Sequence, residues 1–248
     1  MQTGIIGLGP HGKRLHKVVE RMPELELVAL VDSNQEALVF EGVESNVKYA
    51  NTENMYAQER IDLLIIATNG PSHHPLAVEA MQNGVTHLLI EKPMACSVEE
   101  CQSIEAIAAE KGVRLSVDKK NRHDPVMQYI KGYHESGAWG HLRNIYLQIP
   151  GIGLGCLSTH WVDVCNYIVG EAPRRVTGWV DRIKGRNPRG EQFKDPGGTL
   201  VLEYSKDLRV IVSQIEDGSG PMSMEMHYTG ARLYYDPKNS VLDILERD

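Results

Sequence analysis

Gly7-Leu8-Gly9-Pro10-His11-Gly12 follows the short apolar run Ile5-Ile6 and precedes a helical stretch from about Lys13 to Met22. The G-x-G-x-x-G spacing at a strand-to-helix junction suits a bound pyrophosphate. The glycines allow a tight turn, a close backbone approach and close helix–strand packing, and the helix N-terminus then offers free N–H groups and a positive dipole end. The pattern alone is weak, because glycine-rich turns are common. Asp32 strengthens it. It lies 20 residues beyond Gly12, at the end of the apolar run Glu26 to Val31, where an acid hydrogen-bonds an adenosine ribose diol. The competing role for Asp32 is that of a turn or N-cap residue. An acid there repels a 2′-phosphate, and Ser33-Asn34 supplies no arginine to hold one, so NAD is favoured over NADP; Lys13 or Arg14 could modify that preference.

Outward from this motif, strands and helices alternate. Leu63 to Thr68 is apolar, then Gly70-Pro71-Ser72 opens a helical pattern through Ala77, Ala80 and Met81. His87 to Ile90 stops at Glu91-Lys92-Pro93; Ser97 to Lys111 reads as a helix with Ser97 and Glu100 at capping-box spacing; Val113 to Val117 closes the series. Such alternation means βαβ units and a doubly wound parallel sheet. Beyond about Asn121 the texture changes. Helical patterns over Pro125 to Ser136 and His160 to Val169 flank a strand at Leu142 to Gln148. From Arg175 onward strands follow one another: Val176 to Val180, Thr199 to Tyr204, Leu208 to Gln214, Met222 to Tyr228 and Arg232 to Tyr235. Asp195-Pro196-Gly197-Gly198, Ser205-Lys206-Asp207 and Asp217-Gly218 read as turns, and Arg182 to Lys194 as an exposed loop. The expected fold class is α/β: a Rossmann-type nucleotide domain over residues 1–120, then an α+β domain over 121–248 with an open, mostly antiparallel sheet. That sheet would leave a face or edge uncovered, which points to a homo-dimer or tetramer formed through it.

Composition excludes other classes. Lys and Arg number 26 against 33 Asp and Glu, a net charge of −7, which disfavours nucleic acid. Apolar runs such as Leu63 to Ala67 fall far short of the roughly 20 residues a membrane span needs. The N-terminus lacks the basic and long apolar regions of a secretory signal, and Cys96, Cys101, Cys156 and Cys165 form no C-x-x-C pair. A cytoplasmic protein with reduced thiols and no metal site is expected. Met222, Met224 and Met226, at period two, read as one strand face packing a core.

Several further pieces, in order, carry a family resemblance. They are Ala67-Thr68-Asn69 followed by His74, then Glu91-Lys92-Pro93, Asn121-Arg122 before a proline-led helix, and Gly137-Ala138-Trp139-Gly140. His160-Trp161-Val162-Asp163 and Tyr228 to Leu233 complete the series. With Gly7 to Gly12 and Asp32, the chain resembles the Gfo/Idh/MocA oxidoreductases, the glucose-fructose oxidoreductase and inositol dehydrogenase family. The resemblance covers nearly the whole chain, although relatives usually continue well beyond Tyr235, so an abbreviated second domain is expected.

The resemblance implies hydride transfer between NAD(P) and a carbon bearing oxygen on a small-molecule sugar, nucleotide sugar or cyclitol. Gly7, Gly9, Pro10, His11, Gly12, Asp32, Ser33, Thr68, Asn69, His74, Glu91 and Lys92 would surround the cofactor. Lys92 would stabilise developing alkoxide charge, with Pro93 biasing its backbone toward an extended form at the end of its strand. His160 matches the proposed acid–base histidine, since imidazole titrates near neutrality. Asp163, one helical turn on, could orient His160 or bind substrate. Many relatives carry an aspartate four residues before that histidine, and this chain has Cys156. That departure motivates a second reading, an NAD-binding sensor or assembly partner without dehydrogenase turnover.

Overall fold

The computed structural model describes residues 1–40, 47–151, 153–182, 194–215 and 221–247. Packing divides the chain into two compact units, Met1–Asp118 and Lys119–Asp248.

The first unit contains strands β1 (Gln2–Ile6), β2 (Glu26–Val31), β3 (Lys48–Tyr49), β4 (Leu63–Ile66), β5 (His87–Ile90) and β6 (Arg114–Val117). Helices α1 (Pro10–Val19), α2 (Thr52–Gln58), α3 (Gly70–Gln82) and α4 (Val98–Lys111) connect them. The strands form one sheet in the order β3-β2-β1-β4-β5-β6, with every pairing parallel. Strand side chains alternate between two cores, as a period of two requires. Ile5, Leu30 and Ile65 pack with Leu8 and Val19 on one face, while Ile6, Ala29, Leu64 and Ile66 pack with Ala77, Met81 and Ile104 on the other. With both faces covered, these strands read as continuous apolar runs.

Local sequence fixes the helix ends. Pro10 stands in the first turn of α1, three residues before the helical start expected at Lys13, because proline's fixed φ and missing N–H cost nothing there. Ser97 caps α4 by accepting the Glu100 N–H at 3.2 Å, and Glu100 reaches back to the Cys96 N–H at 2.8 Å. Gly112 ends that helix in the left-handed conformation at φ 68°.

The second unit holds α5 (Pro125–Ser136), β7 (Leu142–Pro150), α6 (Thr159–Val169), β8 (Arg175–Val180), β9 (Gly198–Glu203), β10 (Arg209–Ile215), β11 (Ser223–Tyr228), β12 (Ala231–Asp236) and β13 (Val241–Glu246). Its seven strands run β13-β12-β11-β7-β10-β9-β8, antiparallel except for the parallel pair β7 and β10. Met127 and Ile130 of α5 and Val164, Cys165 and Ile168 of α6 pack on one face of the sheet, against Ile145, Leu147, Val212, Met224 and Met226. Met222 joins that core at its margin, so the period-two methionines do line a strand face. The other face leaves Tyr146, Trp179 and Tyr234 exposed, with Trp179 at 68 %.

Three elements lie outside the sequence expectations: β3, α2 and β13. β3 is only two residues long, and the exposed residues of β13 blur its alternation. The turn expected at Asp217-Gly218, and the Arg182 to Lys194 loop apart from its two ends, lie outside the described residues. No described helix is long and apolar enough to cross a membrane.

Candidate active site

The glycine motif sits where β1 gives way to α1, beside the point at which strand order reverses between β1 and β4. Ligands of open parallel sheets bind outside the carboxyl ends of the strands at such a switch point. Each motif glycine has its own steric reason. Gly7 lies at φ +93°, and a Cβ there would come within 2.8 Å of the Ala67 carbonyl. A Cβ on Gly12 would overlap the Gly7 carbonyl oxygen, so this glycine brings α1 onto its strand. Gly9 is different. A Cβ there would meet no protein atom within 4 Å, so the fold does not demand glycine. The open side of Gly9 and the α1 N-terminus, which no side chain caps, fit a pyrophosphate.

Asp32 follows β2 directly. Its Oδ2 accepts the Leu8 N–H at 2.6 Å and its Oδ1 accepts the Asn34 N–H at 2.8 Å. The carboxylate therefore ties the end of β2 to the glycine loop, and its remaining lone pairs suit a ribose diol. Ser33 is exposed beside it. A recess of about 430 Å³, lined by Leu8, Pro10, Lys13, Arg14 and Lys17, runs along α1 from the loop that Asp32 holds.

At the end of β4, the Thr68 hydroxyl accepts from Ser72 Oγ at 2.7 Å, and Asn69 is the N-cap residue of α3. The adjacent histidines of α3 separate as a helix requires. His74 Nε2 lies 3.1 Å from the Ser103 hydroxyl of α4, away from the strand ends. His73 is 1 % exposed; its Nδ1 stands 2.7 Å from the Pro93 carbonyl oxygen and its Nε2 3.2 Å from that of Thr68. Its only sequence signal is its place one turn into the helix after Thr68-Asn69.

Glu91, Lys92 and Pro93 leave the carboxyl end of β5, with a cis peptide between Lys92 and Pro93. Lys92 is 9 % exposed, an unusual state for a lysine. His11 reaches this segment: its Nε2 is 3.1 Å from Glu91 Oε1 and 2.9 Å from Asp118 Oδ2. Thus Gly7, Gly9, Gly12, His11, Glu91 and Lys92 all lie at the carboxyl edge of the first sheet, whereas His74 faces α4.

In the second unit, His160 stands in the first turn of α6. Asp163 of that helix is clasped by Arg122, with Nε at 2.9 Å and Nη2 on the other carboxylate oxygen. Hydrogen bonding to Asp163 holds the Arg122 pKa above its ordinary value. Cys156 lies in a wide helical turn, Leu154–Ser158, ahead of α6. A carboxylate does serve that turn, but from elsewhere in the chain: Asp195 accepts the Gly155 and Cys156 N–H groups, each at 2.8 Å. The sequence marks Asp195 only as part of an Asp-Pro-Gly-Gly turn.

Residues 1–119 match the model of the oxidoreductase family with an NAD-binding Rossmann fold, GFO_IDH_MocA. Inositol 2-dehydrogenase 1 of Saccharopolyspora erythraea is 24 % identical over 227 residues, 86 % of this chain and 66 % of the relative. The uncharacterized oxidoreductase YrbE of Bacillus subtilis is 27 % identical over 183 residues, 68 % of this chain and 53 % of the relative. This chain spans 40–53 % of the length of four curated relatives it matches. Among solved structures, the WlbA dehydrogenase from Bordetella pertussis, in complex with NADH and UDP-GlcNAcA, superposes with a TM-score of 0.83 at 22 % identity, over 94 % of this chain and 78 % of that one. That superposition speaks to the fold. The first unit is thus similar to the NAD-binding Rossmann fold of the GFO_IDH_MocA oxidoreductases, and glycine geometry and family match coincide over residues 1–119.

Proposed function

We propose that this protein is an NAD-dependent oxidoreductase that moves a hydride between the nicotinamide cofactor and a hydroxyl or carbonyl carbon of a sugar, nucleotide sugar or cyclitol. The observation that carries the reading is the buried Lys92 at the carboxyl end of β5, in the unit whose Gly9 is open to a pyrophosphate. Relatives named inositol 2-dehydrogenase, D-apiose dehydrogenase and UDP-N-acetylglucosamine 3-dehydrogenase support the substrate class.

Gly7, Gly9, Pro10, His11 and Gly12 would hold the pyrophosphate side of the dinucleotide, Asp32 and Ser33 its adenosine ribose, and Thr68, Asn69, Glu91 and Lys92 its nicotinamide side. His74 would act only indirectly, through α3. The bound dinucleotide supplies the hydride acceptor. Lys92 lowers the cost of negative charge developing on the substrate oxygen and positions that oxygen. His160 takes the hydroxyl proton during oxidation and returns it during reduction. Asp163, already matched in charge by Arg122, steadies the first turns of α6 and with them His160. NAD is preferred over NADP because the Asp32 carboxylate repels a 2′-phosphate.

The exposed aromatic face of the second sheet supports a homo-dimer or tetramer, which light scattering at micromolar concentration tests. For the activity, Lys92→Ala is expected to abolish NADH formation across a panel of sugars, nucleotide sugars and cyclitols while NAD binding stays within about twofold. Turnover close to wild type in that variant overturns the assignment. Tight NAD binding by the unmodified protein with silence across the whole panel favours the sensor or assembly reading.

A further inference from the structure

Beyond Ile90 the strand β5 has few ladder bonds left. The Glu91 N–H still reaches the Ile66 carbonyl at 2.8 Å, and the Asp118 N–H reaches the Ile90 carbonyl at 2.9 Å. Lys92 follows at once, between two residues that are each met by an imidazole. These imidazoles come from two different helices. His11, in the first turn of α1, reaches the Glu91 carboxylate; His73, in α3, reaches the Pro93 carbonyl.

The tautomers follow from the partners. Arg14 Nη2, a donor only, lies 3.3 Å from His11 Nδ1, so Nδ1 accepts and the proton sits on Nε2. That N–H hydrogen-bonds Asp118 Oδ2 at 2.9 Å, and Glu91 Oε1 lies 3.1 Å from the same nitrogen. These three ligand-type atoms lie within 4.8 Å of one another, but a cation would need the Nε2 lone pair, which Arg14 leaves protonated. The trio is therefore a His11–Asp118 hydrogen bond with the Glu91 carboxylate beside it. The other Glu91 oxygen, Oε2, is buried with no hydrogen-bond partner among the described residues, while Oε1 stands 3.1 Å from the His11 ring. On the far side, the Pro93 carbonyl only accepts, so His73 donates through Nδ1–H over the shorter of its two contacts.

We propose that His11 and His73 are positioning residues that brace the Glu91-Lys92-Pro93 segment from both sides and fix where the Lys92 ammonium stands. His11, taken from sequence as a cofactor-loop residue, thereby acts on catalysis through Glu91. The catalytic purpose of the brace rests on Lys92 being the catalytic lysine; its existence does not.

Lys92 labelling tests the brace without any substrate. The cofactor-free protein is pulsed with acetic anhydride, and acetylation of each lysine is read by peptide mass spectrometry. In His11→Ala the Lys92 rate is expected to rise at least fivefold while Lys48 and Lys131 keep theirs. His11→Gln sets an amide N–H close to where Nε2 stood, and should return Lys92 to within twofold of wild type. His73→Leu should free Lys92 in the same way and His73→Asn, which keeps a donor near the Nδ1 position, should restore it. His73 is buried and its leucine variant could fail to fold; the His11 pair decides the matter alone. An unchanged Lys92 rate in His11→Ala overturns the proposal, as does a rise shared equally by Lys48 and Lys131 or one that His11→Gln does not reverse. If labelling behaves as expected while Lys92→Ala retains turnover, the brace stands and the catalytic assignment of Lys92 falls.

Discussion

The Asp32 carboxylate accepts the backbone N–H of Leu8 at 2.6 Å, so the acid at the end of β2 also holds the glycine loop in shape. One side chain thereby serves the fold and the proposed cofactor site. Asp32→Ala is expected to cost about 1–3 kcal/mol of stability, because the Leu8 and Asn34 N–H groups lose a charged acceptor. It should also weaken NAD about tenfold and NADP less, shifting the ratio toward NADP. Urea unfolding reads the first effect and fluorescence titration with each dinucleotide the second; an unaltered NAD to NADP ratio contradicts the ribose role.

Gly9 and Gly12 should respond in opposite ways to the same added methyl group. Gly9→Ala meets no protein atom within 4 Å, so its melting temperature should stay within about 2 °C of wild type. NAD binding should nevertheless fall sharply, since the space filled is that of the pyrophosphate. Gly12→Ala drives a Cβ into the Gly7 carbonyl oxygen and should destabilise the first unit by about 2 kcal/mol or more. Thermal melts paired with NAD titrations separate the two. Equal loss of stability in both variants would remove the argument that Gly9 is kept for a ligand.

Acid should weaken both units, through the buried His16 in the first and the half-buried His134 in the second. Burial lowers the pKa of His16, which is 3 % exposed, against the opposing pull of Glu20; burial also lowers that of His134, with Lys131 adding to it. On unfolding, each ring regains the ordinary value of about 6.5. Below that pH the unfolded chain binds more protons than the folded one, so stability is full above about pH 6.5 and declines as pH falls. Urea midpoints at pH 7.5, 6.5 and 5.5 should decrease in that order, and His16→Gln with His134→Gln should flatten the decline. A midpoint that rises on acidification would reverse the sign.

The parallel sheet of the first unit was legible from short apolar runs alternating with capped helices, and the run of strands beyond Arg175 from closely spaced turn residues. Ser97 and Glu100 cap α4 as their spacing requires. β3 and β13 were not legible, since two residues carry no period and an exposed edge strand carries a weak one. At the candidate site the glycine loop was legible because its geometry is local. The choice between His73 and His74 was not. Both stand in one helix one residue apart, and only the packing of α3 decides that His73 turns to Pro93 and His74 to Ser103.

What the sequence by itself determined, then, is whatever depends on neighbours along the chain: the turn at Gly7 to Gly12, the acid at the end of the next strand, the helix caps and the alternation that makes a two-faced sheet. Tertiary structure alone decided which charges and donors meet. His73 finds Pro93 across 20 residues, Asp195 finds the Cys156 N–H across 39 and Arg122 finds Asp163 across 41. Backbone propensity and hydrophobic period fix elements locally, whereas a buried polar group takes its partner from whichever segment the packed core brings within about 3 Å.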